Sequence, residues 1–119
     1  MQDCVFCNII NRTILAKFLK ETDELIVIDD ILPKAPVHFL VIPKKHIESI
    51  HYLEDADAPL GGKMLEAARD VAREKGIAEK GYKMIFNVGK DGGKVIPHLH
   101  LHVLGGKKFS EWTHTNRHE

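Results

Sequence analysis

The sequence lacks a net charge, a long apolar run and a cysteine framework, and each absence excludes a class of function. Lys plus Arg number 17 and Asp plus Glu number 17, so the 119 residues sum to a formal charge of zero. A protein that binds nucleic acid by neutralising phosphates carries a basic excess, and a broadly basic footprint is excluded here. No apolar run approaches the ~20 residues needed to cross a bilayer. Met1-Gln2-Asp3-Cys4 shows no basic segment leading into an apolar one, so no signal peptide is expected. Cys4 and Cys7 are the only cysteines, too few for a secreted disulfide scaffold. Together these features predict a cytoplasmic protein with neither a nucleic-acid nor a membrane partner. Repeats and low-complexity tracts are also missing, and the length leaves no room for a second independent core. The expectation is one domain spanning 1–119.

What the sequence has in excess is histidine, with eight residues at 38, 46, 51, 98, 100, 102, 114 and 118. Around them the chain punctuates itself. Segment 4–12 carries apolar residues at 5, 6, 9 and 10, which suit a short helix. Residues 25–29 and 38–42 are short and β-branched or apolar, and read as strands, the second stopped by Pro43. Met64, Leu65, Ala68, Val71 and Ala72 mark a helical stripe from about Gly62 to Lys75, with Gly76 where a C-terminal glycine belongs. Residues 82–88 read as a strand, 89–93 as a glycine-rich turn, and 98–104 as the clearest strand of all. Short connections favour antiparallel pairing. The predicted class is α+β.

In a strand, alternate residues share a face. His98, His100 and His102 then point one way, and Leu99, Leu101 and Val103 point the other, against the long helix. A solvated polar face would not call for three identical imidazoles. One metal shared by all three is opposed by geometry: same-face neighbours stand about 6.7 Å apart and the outer pair about 13 Å, against Zn–N bonds of about 2.0–2.1 Å. Divided labour among a nucleophile, a phosphate ligand and a structural partner fits the two distinct nitrogens of imidazole and its near-neutral pKa. Residues 87–95, Asn-Val-Gly-Lys-Asp-Gly-Gly-Lys-Val, support this, because glycine lets backbone N–H groups approach an anion closely. The pair Cys4-x-x-Cys7 admits three readings: a redox motif, two inert buried thiols, or half of a metal site. A redox motif would follow an initial strand, and this one begins at residue 4.

His98-Leu-His-Leu-His-Val-Leu104 fits the H-x-H-x-H-x-x pattern, with x apolar, and in this the chain resembles the histidine triad (HIT) superfamily. Cys4-Val-Phe-Cys-Asn-Ile-Ile10, Asp30-Ile-Leu-Pro-Lys-Ala-Pro36, His38-Phe-Leu-Val-Ile-Pro-Lys-Lys-His46, Asn87 and Gly105-Gly106 are similar to its Hint-like branch, and the likeness covers roughly residues 4–106. The resemblance implies a HIT-like fold, with an antiparallel sheet of about five strands, one long helix, a short N-terminal helix and a tail over 107–119. It also implies a hydrolase acting on phosphorus–nitrogen bonds, releasing AMP from purine nucleoside 5′-phosphoramidates. His100 would be the nucleophile and form a nucleotidyl-histidine. His102 would contact phosphate, and His38 would orient the others. Asn87, Gly93, Lys94 and Val95 would bind phosphate. Asp30 and Ile31 would form the nucleoside pocket, with Phe6 and Ile9 extending its apolar wall.

The same resemblance turns the cysteine pair into half of a structural zinc site, completed by His46 and His98, with no metal required for catalysis. It further implies a homodimer, with the tail and its Trp112 reaching toward the partner's site. His51, His114 and His118 receive no role. Three positions depart from the family pattern. Val95 and Leu32 stand where serine is usual, and Ile14 where proline is common. The first two bear on substrate preference and rate. A dinucleoside polyphosphate hydrolase or nucleotidylyl transferase of the same superfamily is the rival enzyme, and a non-catalytic nucleotide- or zinc-binding adaptor is the rival of another class.

Overall fold

The computed structural model describes residues 3–93 and 96–109. Lys94, Val95, Trp112, His114 and His118 lie outside them. Helix α1 spans Val5–Ile10 and is followed by β1 (Phe18–Glu21), β2 (Leu25–Asp29) and β3 (Val37–Pro43). Two 3₁₀ turns at Ile50–Tyr52 and Asp55–Asp57 lead into α2 (Ala58–Glu74), and β4 (Tyr82–Ile85) and β5 (Leu101–Gly105) complete the chain order. The five strands form one antiparallel sheet in the order β1-β2-β3-β5-β4.

Strand alternation separates the sheet into two working faces. Leu25, Val27, Phe39, Val41, Leu101 and Val103 pack with Leu60, Met64, Ala67, Ala68, Val71 and Ala72 of α2. Ile26, Ile28, Leu40 and Ile42 pack with Cys4, Phe6 and Ile9 around α1. Each large side chain taken from water is worth roughly 1.5–3 kcal/mol, so both helices are clamped to the sheet by burial. Register fixes the histidines on the α1 face. His102 pairs with Leu40, and His38 pairs with Leu104 two steps along β3.

The elements expected from the sequence are present with shifted ends. Helix α2 begins at Ala58 rather than near Gly62, because Pro59 occupies the first turn, where its fixed φ suits a helix and its missing N–H costs nothing. Leu65, expected in the buried stripe, is 52% exposed, and Leu60 and Ala67 fill the face instead. Strand β4 ends at Ile85, three residues short of the expected Val88. Strand β5 starts at Leu101 rather than His98. Although β3 runs on to Pro43, the Leu99 N–H turns away to the Ile47 carbonyl at 2.6 Å. Strand β1, too short and polar to read from pattern, adds the fifth strand.

The C-terminus of α2 is closed by a Schellman turn. Gly76 takes φ +77°, its N–H reaches the Arg73 carbonyl at 3.1 Å, and the Ile77 N–H reaches the Ala72 carbonyl at 3.1 Å. Ile77 is thereby buried against β5, where a Cβ on Gly105 would stand 2.7 Å from its Cδ1. Gly105→Ala should therefore overpack this corner and cost about 1–3 kcal/mol, read as a lowered urea midpoint at unchanged m-value. An unaltered midpoint would show that Ile77 yields without strain.

Candidate active site and metal centre

Two histidine clusters share the α1 face. The first gathers around the start of α1. Cys4 caps the helix, its Sγ accepting from the Cys7 N–H at 3.3 Å, so the C-x-x-C spacing turns both thiols to one side. Cys4 Sγ lies 3.2 Å from His98 Nδ1, Cys7 Sγ lies 3.2 Å from His46 Nδ1, and the two Nδ1 atoms are 3.1 Å apart. One donor atom from each of the four residues falls within 4.8 Å of the others.

The chemistry of this set fits a bound cation. The fully buried His98 donates Nε2–H to the Pro43 carbonyl at 2.8 Å, which leaves the Nδ1 lone pair facing the thiols. Burial, then the neighbouring Cys4, pushes the Cys7 thiol up to about 11. A thiolate there calls for positive charge beside it, which a metal supplies. Two sulfur and two nitrogen donors at these separations suit a closed tetrahedron. The thiols and imidazoles could therefore hold a structural ion.

The second cluster is a hydrogen-bonded chain of defined direction. The Lys34 N–H donates to His38 Nδ1 at 3.1 Å, so the His38 proton sits on Nε2. That nitrogen lies 3.0 Å from His102 Nδ1 and 3.4 Å from an Asp30 carboxylate oxygen. His102 thus accepts at Nδ1 and presents Nε2–H. His100 has the opposite tautomer: its Nδ1–H donates to the His98 carbonyl at 2.7 Å, which places the lone pair on Nε2. The His100 and His102 ring centroids are 4.8 Å apart. A base-form nitrogen and a donor N–H are thereby set side by side.

The other candidate residues take varied places. Phe6 is buried and meets the His98 and His100 rings edge-on, at centroid distances of 5.8 and 5.1 Å. Ile9 is buried with it, so both support the cluster from within the core. Ile31 is 91% exposed and Leu32 72%, beside Asp30, whose Oδ1 accepts from the Leu32 N–H at 2.9 Å. The Asn87 amide donates to the Gly92 carbonyl at 2.7 Å and closes the 89–93 turn. Gly92 is obligatory there, since a Cβ would stand 2.2 Å from the Val88 oxygen. The Gly93 N–H is engaged by the Lys90 carbonyl at 3.1 Å.

Comparison with known proteins supplies the family. A family model described as "Scavenger mRNA decapping enzyme C-term binding" matches residues 3–118. Protein HitA of Neisseria gonorrhoeae is 38% identical over 105 residues, covering 88% of this chain and 97% of that protein. A HIT family hydrolase from Clostridium thermocellum superposes with a TM-score of 0.91 at 41% identity, covering 93% of this chain and 96% of that one. The chain belongs to the HIT family. A histidine triad protein from Clostridium difficile is similar too, with a TM-score of 0.90, 37% identity and coverage of 94% and 97%.

The HIT triad is thus a bend followed by a strand. The expected alternation of faces holds: Leu99, Leu101 and Val103 lie in the α2 core, and Phe6 on the other side meets His98 and His100. Only His102, however, belongs to the sheet ladder. Sequence reasoning missed the Lys34 N–H, the Pro43 carbonyl and the His98 carbonyl. Each is a backbone group, so no residue type signals it.

Burial, with His100, His38 and Lys34 adding, lowers His102 to about 4 against an opposing pull from Asp30. In the unfolded chain a histidine titrates near about 6.5. The unfolded state therefore binds the proton first. The contribution of His102 to stability is present above about pH 6.5 and is lost as pH falls toward 4. Denaturant unfolding from pH 7 to 4 should show a declining stability whose slope is reduced in His102→Gln. An equal slope in both proteins would contradict this assignment.

Proposed function

We propose that the protein hydrolyses purine nucleoside 5′-phosphoramidates, releasing AMP and an amine through a nucleotidyl-His100 intermediate. The observation that carries the reading is the opposed tautomers of His100 and His102, fixed by the His98 carbonyl and by His38. Transfer at phosphorus from nitrogen needs a nucleophile on one side and a proton for the departing amine on the other. His100 Nε2 attacks phosphorus, the P–N bond breaks, and the amine nitrogen takes a proton through His102 Nε2 from the protonated form of the His38–His102 pair. Water then attacks the nucleotidyl-histidine, gives a proton back to His102, and AMP leaves with His100 restored.

In this scheme Asp30 and Ile31 receive the ribose and base. Asn87, Gly93, Lys94 and Val95 are assigned to phosphate binding, with Asn87 fixing the 89–93 turn. Cys4, Cys7, His46 and His98 hold a structural zinc, which supplies a rigid anchor and no catalytic step. Similar proteins described as a HIT family hydrolase and a hypothetical histidine triad nucleotide-binding protein support the substrate class. An apolar groove lined by Ile50, Leu53, Leu65 and Phe86, together with edge strand β4, supports a homodimer. A cytoplasmic location completes this reading, and no helix among the described residues is long and apolar enough to cross a membrane.

His100→Ala should lower turnover of an AMP–alkylamine conjugate by at least about 10³-fold with the circular dichroism spectrum intact. The wild type quenched in turnover should yield a nucleotidyl adduct on His100 by mass spectrometry. Faster turnover of a diadenosine polyphosphate would move the assignment to the rival hydrolase. AMP binding without turnover of any conjugate would leave an adaptor. Purified protein should carry about one zinc per chain, falling below about a tenth in Cys7→Ser. A wild type at that lower level with both thiols titratable would remove zinc from the reading.

A further inference from the structure

Asp30 has more to do than meet a nucleotide. Its Oδ1 is committed to the Leu32 N–H, which leaves Oδ2 directed inward, 3.4 Å from His38 Nε2. One oxygen of Asp30, one nitrogen of His38 and one nitrogen of His102 all lie within 4.8 Å of each other. The His38 side chain is 1% exposed and that of Asp30 18%, so water screens this contact weakly. We propose that Asp30 is a positioning residue for the proton that the leaving group takes, its carboxylate favouring the cationic form of the His38–His102 pair through which His102 acts as an acid.

The hydrogen-bond directions explain why a carboxylate is needed. At rest His38 Nε2–H points to His102 Nδ1. A second proton on His102 would occupy Nδ1 and set two N–H groups head to head across 3.0 Å. Asp30 Oδ2 offers the displaced N–H an acceptor and the new imidazolium an opposite charge. Among the described residues, the groups facing the pair are Asp30, Lys34 and His100. Burial opposes protonation of His102 most, then His100, His38 and Lys34, and among the described residues Asp30 alone favours it. For His38 the same balance holds, with burial lowering, Asp30 raising and Lys34 lowering. The proton passes to the amine when the P–N bond breaks and returns from water when the nucleotidyl-histidine is hydrolysed, so the pair is unchanged over a cycle. This inference rests on the phosphoramidase reading for its chemical step. The charge pairing itself does not.

Asp30→Asn tests it, because asparagine keeps an oxygen for the Leu32 N–H and removes only the charge. Substrates lacking the 2′ and 3′ hydroxyls separate this role from ribose binding. With 2′,3′-dideoxyadenosine phosphoramidates, kcat should fall at least about tenfold for an alkylamine leaving group, which needs the acid, and less than about threefold for a nitroaniline, which does not. The alkaline limb of the alkylamine profile should move to lower pH. Independently of turnover, ¹⁵N-detected titration of the His38–His102 pair should shift down by about one pH unit, a tenfold loss of proton affinity, and Asp30→Glu should restore most of it. An unmoved titration and equal kcat on both dideoxy substrates would overturn the proposal and leave Asp30 as a ribose contact. A moved titration in a protein that turns over no phosphoramidate would uphold the pairing while the phosphoramidase reading fails.

Discussion

The buried ring of His98 is the constraint on which the site depends. Nε2–H is tied to the Pro43 carbonyl, Nδ1 faces Cys4, Cys7 and His46, and the residue's own carbonyl accepts from His100 Nδ1–H. One residue therefore joins the end of β3, the start of α1 and the neighbouring histidine. A buried imidazole with every polar atom satisfied has no inexpensive alternative position, since any rotation strands a donor or an acceptor. The backbone carbonyl of the same residue fixes the His100 tautomer. Phe6 reinforces this from α1 by packing edge-on against both rings.

The sheet makes this arrangement affordable by keeping its two faces chemically apart. On the α2 face an apolar cluster takes Leu99, Leu101 and Val103 from between the triad histidines. On the α1 face the hydrophobic cluster occupies β2 and the outer part of β3, while the polar chain of Asp30, His38 and His102 sits where β3 meets β5. Because side chains alternate with period two, β5 can give Leu101 and Val103 to one layer and His102 to the other without a break in pairing. A shift of one residue in the β3–β5 register would bury His102 under α2 and expose Leu101 to the histidines.

The triad was legible because identical polar residues at spacing two can mean little except one face of a strand. The cysteine pair and the two histidines that meet it came through the family likeness, and the fold brings all four within reach of one another. Residue types could not reveal where the strand stops. The triad's first two histidines leave the ladder although β3 runs on to Pro43, because the chain turns at Leu99 toward the Ile47 carbonyl, a long-range contact that local alternation cannot carry. For the same reason β1 went unseen: Phe18–Glu21 is four mixed residues, made a strand by β2 beside it. Asp30 was legible as an acidic residue near a nucleotide. Its approach to His38 was not, because that depends on the turn through Leu32 and on the Lys34 N–H.

The zero net charge finds its physical counterpart in these details. Orientation in the site comes mainly from backbone groups: the carbonyls of Pro43 and His98, the N–H of Lys34 and the turn closed by Asn87. Fixed dipoles of this kind select a tautomer without adding charge, so neutral imidazoles can be buried and still differ in role. A field built from lysines and arginines would attract anions but would not decide which nitrogen of His100 or His102 carries the proton. That decision separates a nucleophile from an acid when both are histidine, and it is made by the fold, one hydrogen bond at a time, around a single local carboxylate.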